Sequence, residues 1–349
     1  MLLLATSLVL TICGTLAYSP PLHRISPPRD ALVVRGNTTR TEEYPSIMAA
    51  VWALPNDTTS QSIFIYPGTY HEQVYLSRPG PVSLYGYTKF AGSQEANEVV
   101  ITNSLVASVA GSDEASGTLR IHTNNTQVYN INIRNDYGPG LFGGQNQAIA
   151  ASVYGDKVGF YASGLYGFQD TVYTNTGRHA FLHGYIEGSV DFIFGKLSQA
   201  YFEANTIAIA GPGCITADGR STNDSGIYLL ESNTITVAPN ANYSVSAMNG
   251  QYYFGRPWRN YARVIFKNTH IIKPMINAAL WSIWSEATPL TDEVTYADYN
   301  TWGPGVPWNV SQARANFSTH LTTKQAATYN IGFALGSDWH TWVDSSYLL

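Results

Sequence analysis

Phe160-Tyr-Ala-Ser-Gly-Leu165, Phe202-Glu-Ala-Asn-Thr-Ile207, Leu230-Glu-Ser-Asn-Thr-Ile235 and Phe266-Lys-Asn-Thr-His-Ile271 are four versions of one six-residue phrase. Each opens on a large apolar residue and closes on an aliphatic one. In the last three an Asn-Thr step stands at Asn205, Asn233 and Asn268, 28 and 35 residues apart. Repeats of this length, built on short strands, are the mark of a solenoid, in which a repeat buries its apolar side only by stacking on the next. In a parallel β-helix equivalent residues stack about 4.8 Å apart. The interior then fills with aliphatic and aromatic ladders, and Asn side chains stack at the turns. A β-sandwich whose strands resemble one another by accident is the other architecture these repeats allow.

Outward from the repeats the texture stays β. Short apolar runs at 63–66, 82–85, 99–101, 128–133, 227–230 and 264–266 are separated by Gly, Asn or Asp turns. The exception is residues 46–54, a predicted helix. Ser46 is its N-cap, Ile47, Ala50, Val51 and Leu54 form its apolar stripe, and Pro55 stops it. Residues 1–17 carry an apolar core from Leu2 to Ile12 and small residues up to Ala17, which reads as a secretory signal peptide. A bilayer span would need about 20 apolar residues. Residues 18–45, punctuated by Pro and Arg, read as a leader or linker, and residues 46–349 as a single β domain. Cys13 leaves with the signal, so Cys214 stands alone and no intramolecular disulfide can form. A secreted chain without staples draws its stability from a large continuous core. In Gly-Pro-Gly-Cys-Ile, Cys214 reads as a small buried thiol. Seven Asn-x-Ser/Thr sequons, at Asn37, Asn56, Asn124, Asn223, Asn242, Asn309 and Asn316, suit an exported glycoprotein.

Charged residues make up only 12% of the 349-residue chain, with 19 Lys+Arg against 24 Asp+Glu, about half the usual share. Aromatic residues reach 13% and apolar residues 44%, which excludes disorder. A net charge of −5 lacks the basic footprint of a nucleic-acid binder, and no later segment is apolar enough for a membrane span. The composition suits a partner recognised by stacking and uncharged hydrogen bonds, as sugar polymers are.

The residues richest in chemistry lie between 144 and 195: Gln147-Ala-Ile-Ala150, Gly167-Phe-Gln-Asp-Thr171 and Gly188-Ser-Val-Asp-Phe-Ile-Phe-Gly195. Gln147 to Gln169 and Gln169 to Asp191 are both 22 residues, and Asp170 to Asp191 is 21. A coil of that length sets these side chains in one column, where two amides and two carboxylates meet as a catalytic site requires. Asp191 sits inside Val-Asp-Phe-Ile-Phe, where a carboxylate loses water and needs a partner. In Gly255-Arg-Pro-Trp258, Pro257 stiffens a turn that presents Arg256 and Trp258. Arg220, in Ala-Asp-Gly-Arg, is open to two readings, a grip on substrate carboxylates or a structural ion pair.

These motifs, with Ile215-Thr-Ala-Asp-Gly-Arg220 and weaker echoes at Gly68-Thr-Tyr-His-Glu72 and residues 296–305, resemble the pectin methylesterase (pectinesterase) family, in that family's order, over residues 40–335. The resemblance implies an all-β fold, a right-handed parallel β-helix with a short N-terminal capping helix, as the catalytic domain of a secreted, extracellular monomer. It implies hydrolysis of the C6 methyl esters of homogalacturonan, with no cofactor, metal, nucleic-acid or membrane partner. Residue by residue, Asp191 matches the nucleophile and Asp170 the general acid/base. Gln147 and Gln169 match the amides that hold the oxyanion, Arg256 the partner of the nucleophile, and Trp258 the ring that packs on the sugar. Departures from the family pattern fall at Asp298, Trp302 and Ala279-Leu280-Trp281, and are expected to touch the substrate groove. Paired carboxylates also cleave glycosidic bonds, but the Asn-Thr-Asp, Asp-Asp and Arg-x-Lys motifs of polygalacturonase-like enzymes are missing. No acidic calcium cluster of a pectate lyase is found, nor a Gly-x-Ser-x-Gly elbow or a His-Glu-x-x-His motif. A β-helix that binds pectin without turnover is the remaining alternative.

Overall fold

The computed structural model describes residues 19–139 and 146–349. The expected signal peptide at 1–17, Cys13, and the Gly144-Gln145 opening of the motif-rich stretch lie outside the described residues. One coil shows the plan. The chain runs along Val158–Tyr161 and turns into Gly164–Tyr166. It then bends into Val172–Thr174 and returns as Arg178–Leu182, stacked on its starting strand. Repetition of this path builds three sheets of 12, 8 and 7 strands among the described residues, and every pairing between strands is parallel. The solenoid reading holds: the fold is a parallel β-helix.

Inside the helix the repeated phrases stand in register. Phe160, Phe181, Phe202, Leu230 and Phe266 form one column. The first three rings lie 5.0 and 4.6 Å apart and within 6° of parallel. Leu165, Ile186, Ile207, Ile235 and Ile271 form another column. The apolar ends thus set the register, and the Asn-Thr step slips against it. Asn205 Nδ2 donates to Asn233 Oδ1 at 3.0 Å, but the next residue in that column is Thr269. Asn268 belongs one position earlier, in a column of left-handed residues at the corner between the 12- and 8-stranded sheets: Asn130, Ala162, His183, Ala204, Ser232, Asn268 and Asn300, all with φ between 44° and 57°. That conformation costs a non-glycine residue about 1–2 kcal/mol. It persists because the strands on either side of the corner are pinned in their ladders.

The helix Ile47–Ala53 is capped by Ser46 and buries Ile47 and Ala50 against the first coil. Both carboxylate oxygens of Glu72, in the Gly68-to-Glu72 echo, accept from the first backbone N–H groups, of Ile47 at 2.8 Å and Met48 at 2.9 Å. A negative charge there also suits the helix dipole. Two strands, Leu32–Val34 and Glu43–Tyr44, lie inside the stretch read as a leader and extend the 12-stranded sheet. The β-helix therefore begins ahead of Ser46, because Leu32 and Val34 supply apolar residues to the core. At the other end, the C-terminal tail, with its short helix Ile331–Leu335, covers the outer face of the 12-stranded sheet. A second core forms there around Tyr129, Tyr161, Tyr201, Leu335 and Tyr347. Arg24 joins the two termini: its guanidinium lies 4.5 Å from the Tyr129 ring and donates to Tyr347 Oη at 2.8 Å. Cys214 is free and buried. Among the described residues no helix is long and apolar enough to cross a membrane.

Phe181→Ala opens a gap between two stacked rings, and the expected loss of stability is about 3–5 kcal/mol. Denaturant unfolding monitored by circular dichroism checks this. A loss below about 1 kcal/mol would show that the column closes around the gap and that ring stacking adds little.

Candidate active site

The site forms where the chain leaves the 8-stranded sheet and enters the 7-stranded one. Gln147, Gln169 and Val190 are bridged in parallel across three successive coils. Val172 pairs with Ile193, so Asp170, two residues before Val172, stacks on Asp191, two before Ile193. The column expected from the spacing is thus two adjacent columns. The residue after Gln169, and not Gln169 itself, faces Asp191. An extra residue between Gln147 and Ala151, which pairs with Val172, accounts for the 22-residue step. Asp170 and Asp191 have φ of 64° and 51°, a strained conformation of the kind that gathers at functional sites. The motif glycines have steric reasons. A Cβ on Gly188 would collide with the Phe192 side chain, and one on Gly255 with the Thr216 hydroxyl.

Both carboxylates are nearly buried, Asp170 8% and Asp191 7% exposed. Arg256 grips Asp191 with two parallel bonds, Nε to Oδ1 at 2.9 Å and Nη2 to Oδ2 at 2.7 Å, the strongest hydrogen-bonding geometry available to a carboxylate. The guanidinium also lies 4.5 Å from the ring of Trp284. Among the described residues nothing donates a hydrogen bond to Asp170, and Gln147 Oε1 is buried without a partner. Burial pushes the Asp170 carboxyl well above its ordinary 3.8, and the adjacent charge of Asp191 adds to the rise. Asp191 is also raised by burial, but the bonds from Arg256 oppose it. Of two stacked carboxyls, the one that Arg256 holds ionises first.

Trp258 is placed by its backbone N–H, which donates to Asp218 O at 3.0 Å, and by Gly219, where a Cβ would strike its ring. Its ring centroid is 6.1 Å from Phe194, which stacks on Tyr173 at 4.4 Å, and Tyr154 meets Tyr173 edge-on at 5.6 Å. An aromatic wall therefore runs along the 7-stranded sheet beside the carboxylates. The sequence reading missed Tyr154, Tyr173, Phe194 and Trp284. A signal existed for two of them, since Tyr173 and Phe194 repeat at the 21-residue interval of the aspartates.

All six expected residues, Gln147, Gln169, Asp170, Asp191, Arg256 and Trp258, come together here, whereas other expectations fail. Trp281 is not in a groove: it is 1% exposed and stacks on Tyr296 at 4.1 Å in the core. Asp298 is equally buried, paired with Arg314. Trp302, unlike these two, remains exposed and stacks on His270 at 3.9 Å. Of the two readings left open for Arg220, the structural ion pair is the one found: it is 1% exposed, pairs with Asp224 and donates to Ser198 O at 2.6 Å. Burial raises the Cys214 thiol, which keeps it protonated and unreactive.

Comparison with known proteins agrees with this geometry. The Pectinesterase family model matches residues 32–337. A pectinesterase from Aspergillus niger is 38% identical over 331 residues, which is 93% of this chain and 94% of that one. The crystal structure of the Aspergillus niger pectin methylesterase superposes with a TM-score of 0.82 at 33% identity, covering 93% of this chain and all of that one. The carrot pectin methylesterase shares the fold, with a TM-score of 0.79 at 23% identity over 93% of this chain and 98% of that one. The β-helix, the stacked carboxylates beneath an arginine and these likenesses agree: the chain belongs to the pectinesterase family and is a hydrolase of pectin methyl esters.

Proposed function

We propose that the chain hydrolyses the C6 methyl esters of homogalacturonan through an aspartyl acyl-enzyme. The observation that carries this reading is the asymmetry of the stacked pair, in which Arg256 binds Asp191 by two bonds while Asp170 has no such partner among the described residues. Ionised Asp191 attacks the ester carbonyl. The negative charge that develops on the carbonyl oxygen is taken up by N–H bonds from Gln147 and Gln169. Asp170, protonated by its burial, gives its proton to the departing methoxy oxygen, and methanol leaves. The ionised Asp170 then takes a proton from water as that water attacks the acyl-enzyme. The C–O bond to Asp191 breaks, the galacturonic acid group is released and loses its remaining proton to solvent, and both aspartates return to their starting states. Trp258 offers its ring to the sugar, and Arg256 keeps the nucleophile charged and aimed.

In this reading residues 1–17 direct export, and one catalytic β-helix domain works outside the cell as a monomer on plant cell-wall pectin. Similar pectinesterases come from the fungi Aspergillus niger and Aspergillus aculeatus, which suits secretion onto plant material.

Asp191→Ala is expected to abolish methanol release from pectin with an unchanged circular dichroism spectrum; release at near wild-type rate would remove Asp191 as nucleophile. Gln147→Ala should lower kcat about 10²–10³-fold with little change in KM, measured by methanol release; a change confined to KM would make it a binding residue. Asp170 gives a pH test of stability. Its carboxyl keeps a proton in the fold at pH values where the unfolded chain has lost it. Its contribution is therefore fully present below the ordinary value of 3.8 and is lost as pH rises through the folded value. Asp170→Asn should gain in Tm over wild type as pH rises from about 4 toward neutrality. A difference that does not grow with pH would contradict the raised carboxyl.

A further inference from the structure

A concave surface lies on the outer face of the 8-stranded sheet, and none of the six site residues lines it. In the strands Asn132–Asn135, Gly164–Tyr166, Tyr185–Gly188, Thr206–Ile209 and Thr234–Val237, the column from Ile133 to Ile235 points into the core. The residues on either side of it point outward. Bulk on this face is uneven. Arg134, Tyr166 and Tyr185 fill the upper coils, with the Arg134 guanidinium 4.5 Å from the Tyr166 ring and the two tyrosine rings 4.9 Å apart. One coil further on, Tyr185 and Glu187 are succeeded in register by Thr206 and Ala208, and then by Thr234 and Thr236. The drop from large to small side chains leaves a cavity of about 710 Å³, which Tyr185, Thr206, Thr236 and Asn240 help to line. That size is typical of a ligand site, which spans about 300–1,000 Å³.

The chemistry of the lining selects a class of occupant. Its aromatic groups are held in place: Gln94 Nε2 donates to Tyr166 Oη at 2.6 Å, and Tyr185 Oη donates to Glu187 Oε2 at 2.5 Å. Threonine hydroxyls and the Asn240 amide supply uncharged donors and acceptors. Charge is the deciding property. The cation in the lining, Arg134, already bonds Asp136 at 3.1 Å, and Glu95 and Glu187 add negative charge. A polyanion is therefore repelled, while an uncharged pyranose chain meets tyrosine edges and neutral hydrogen-bonding groups.

We propose that this groove is a second binding site for the enzyme's polymer in its methyl-esterified, uncharged state. The inference rests on the pectin-substrate reading above. Such a site keeps the enzyme on unreacted polymer and lets go of the charged product.

The experiment is calorimetric titration of the full chain carrying Asp191→Ala with methyl-esterified hexagalacturonate. Two equivalents are expected to bind. One equivalent is expected when Tyr185→Ala is added, and also with Thr236→Trp, which fills the groove without removing any packing. Fully demethylated hexamer should bind the groove at least tenfold more weakly. A single equivalent in the parent, a second equivalent that survives both substitutions, or equal affinity for the demethylated hexamer would overturn the proposal. Methanol release by the wild type from the same hexamer is measured in parallel. Its absence would sink the pectinesterase mechanism separately, while the number of bound equivalents still decides the groove.

Discussion

Register between successive coils, held by parallel strands about 4.8 Å apart, is the constraint on which the rest of this molecule depends. It stacks Phe160, Phe181 and Phe202 face to face inside the helix. By the same geometry it sets Asp170 against Asp191 at the surface. Two carboxyl groups brought this close, and buried, cannot share charge equally. Arg256 breaks the symmetry by bonding one of them twice. The chemical difference between the two aspartates is therefore made by an arginine that lies 65 residues beyond Asp191 in sequence.

The same stacking accounts for a fold that holds together without a disulfide among the described residues. Each coil is buried by its neighbours, so the apolar columns run unbroken from Val34 to Tyr296. The tail adds a second layer, and Arg24 fastens the beginning of the chain to its end through Tyr129 and Tyr347. Strain is tolerated at regular places. The left-handed residues at each corner, like those at Asp170 and Asp191, are held by ladders on both sides. A conformation disfavoured in isolation becomes the one consistent with the neighbouring strands.

Charge is scarce in this chain, and its distribution is informative. Arg256 with Asp191 stands at the candidate site, whereas Arg220 with Asp224 and Arg314 with Asp298 hold the structure. On the 8-stranded sheet the lining carries more negative than positive groups, which disfavours a polyanion there. The two faces thus differ in kind. One concentrates paired charge, and the other presents tyrosines and hydroxyls.

By itself the sequence determined the solenoid, the helix that follows Ser46, and the six residues that meet at the site. Those features rest on repetition and on local motifs, which a linear reading can see. Tertiary structure decided the rest, because coils here differ in length. The column from Phe160 to Phe266 advances by 21, 21, 28 and 36 residues, so spacing alone set Gln169 where Asp170 belongs and shifted Asn268 by one position. Only the packed fold could show that Trp281 and Asp298 face the core while Trp284 reaches Arg256. A side chain's direction in a solenoid is fixed by the strand beneath it, and which strand that is depends on loops whose lengths follow no period.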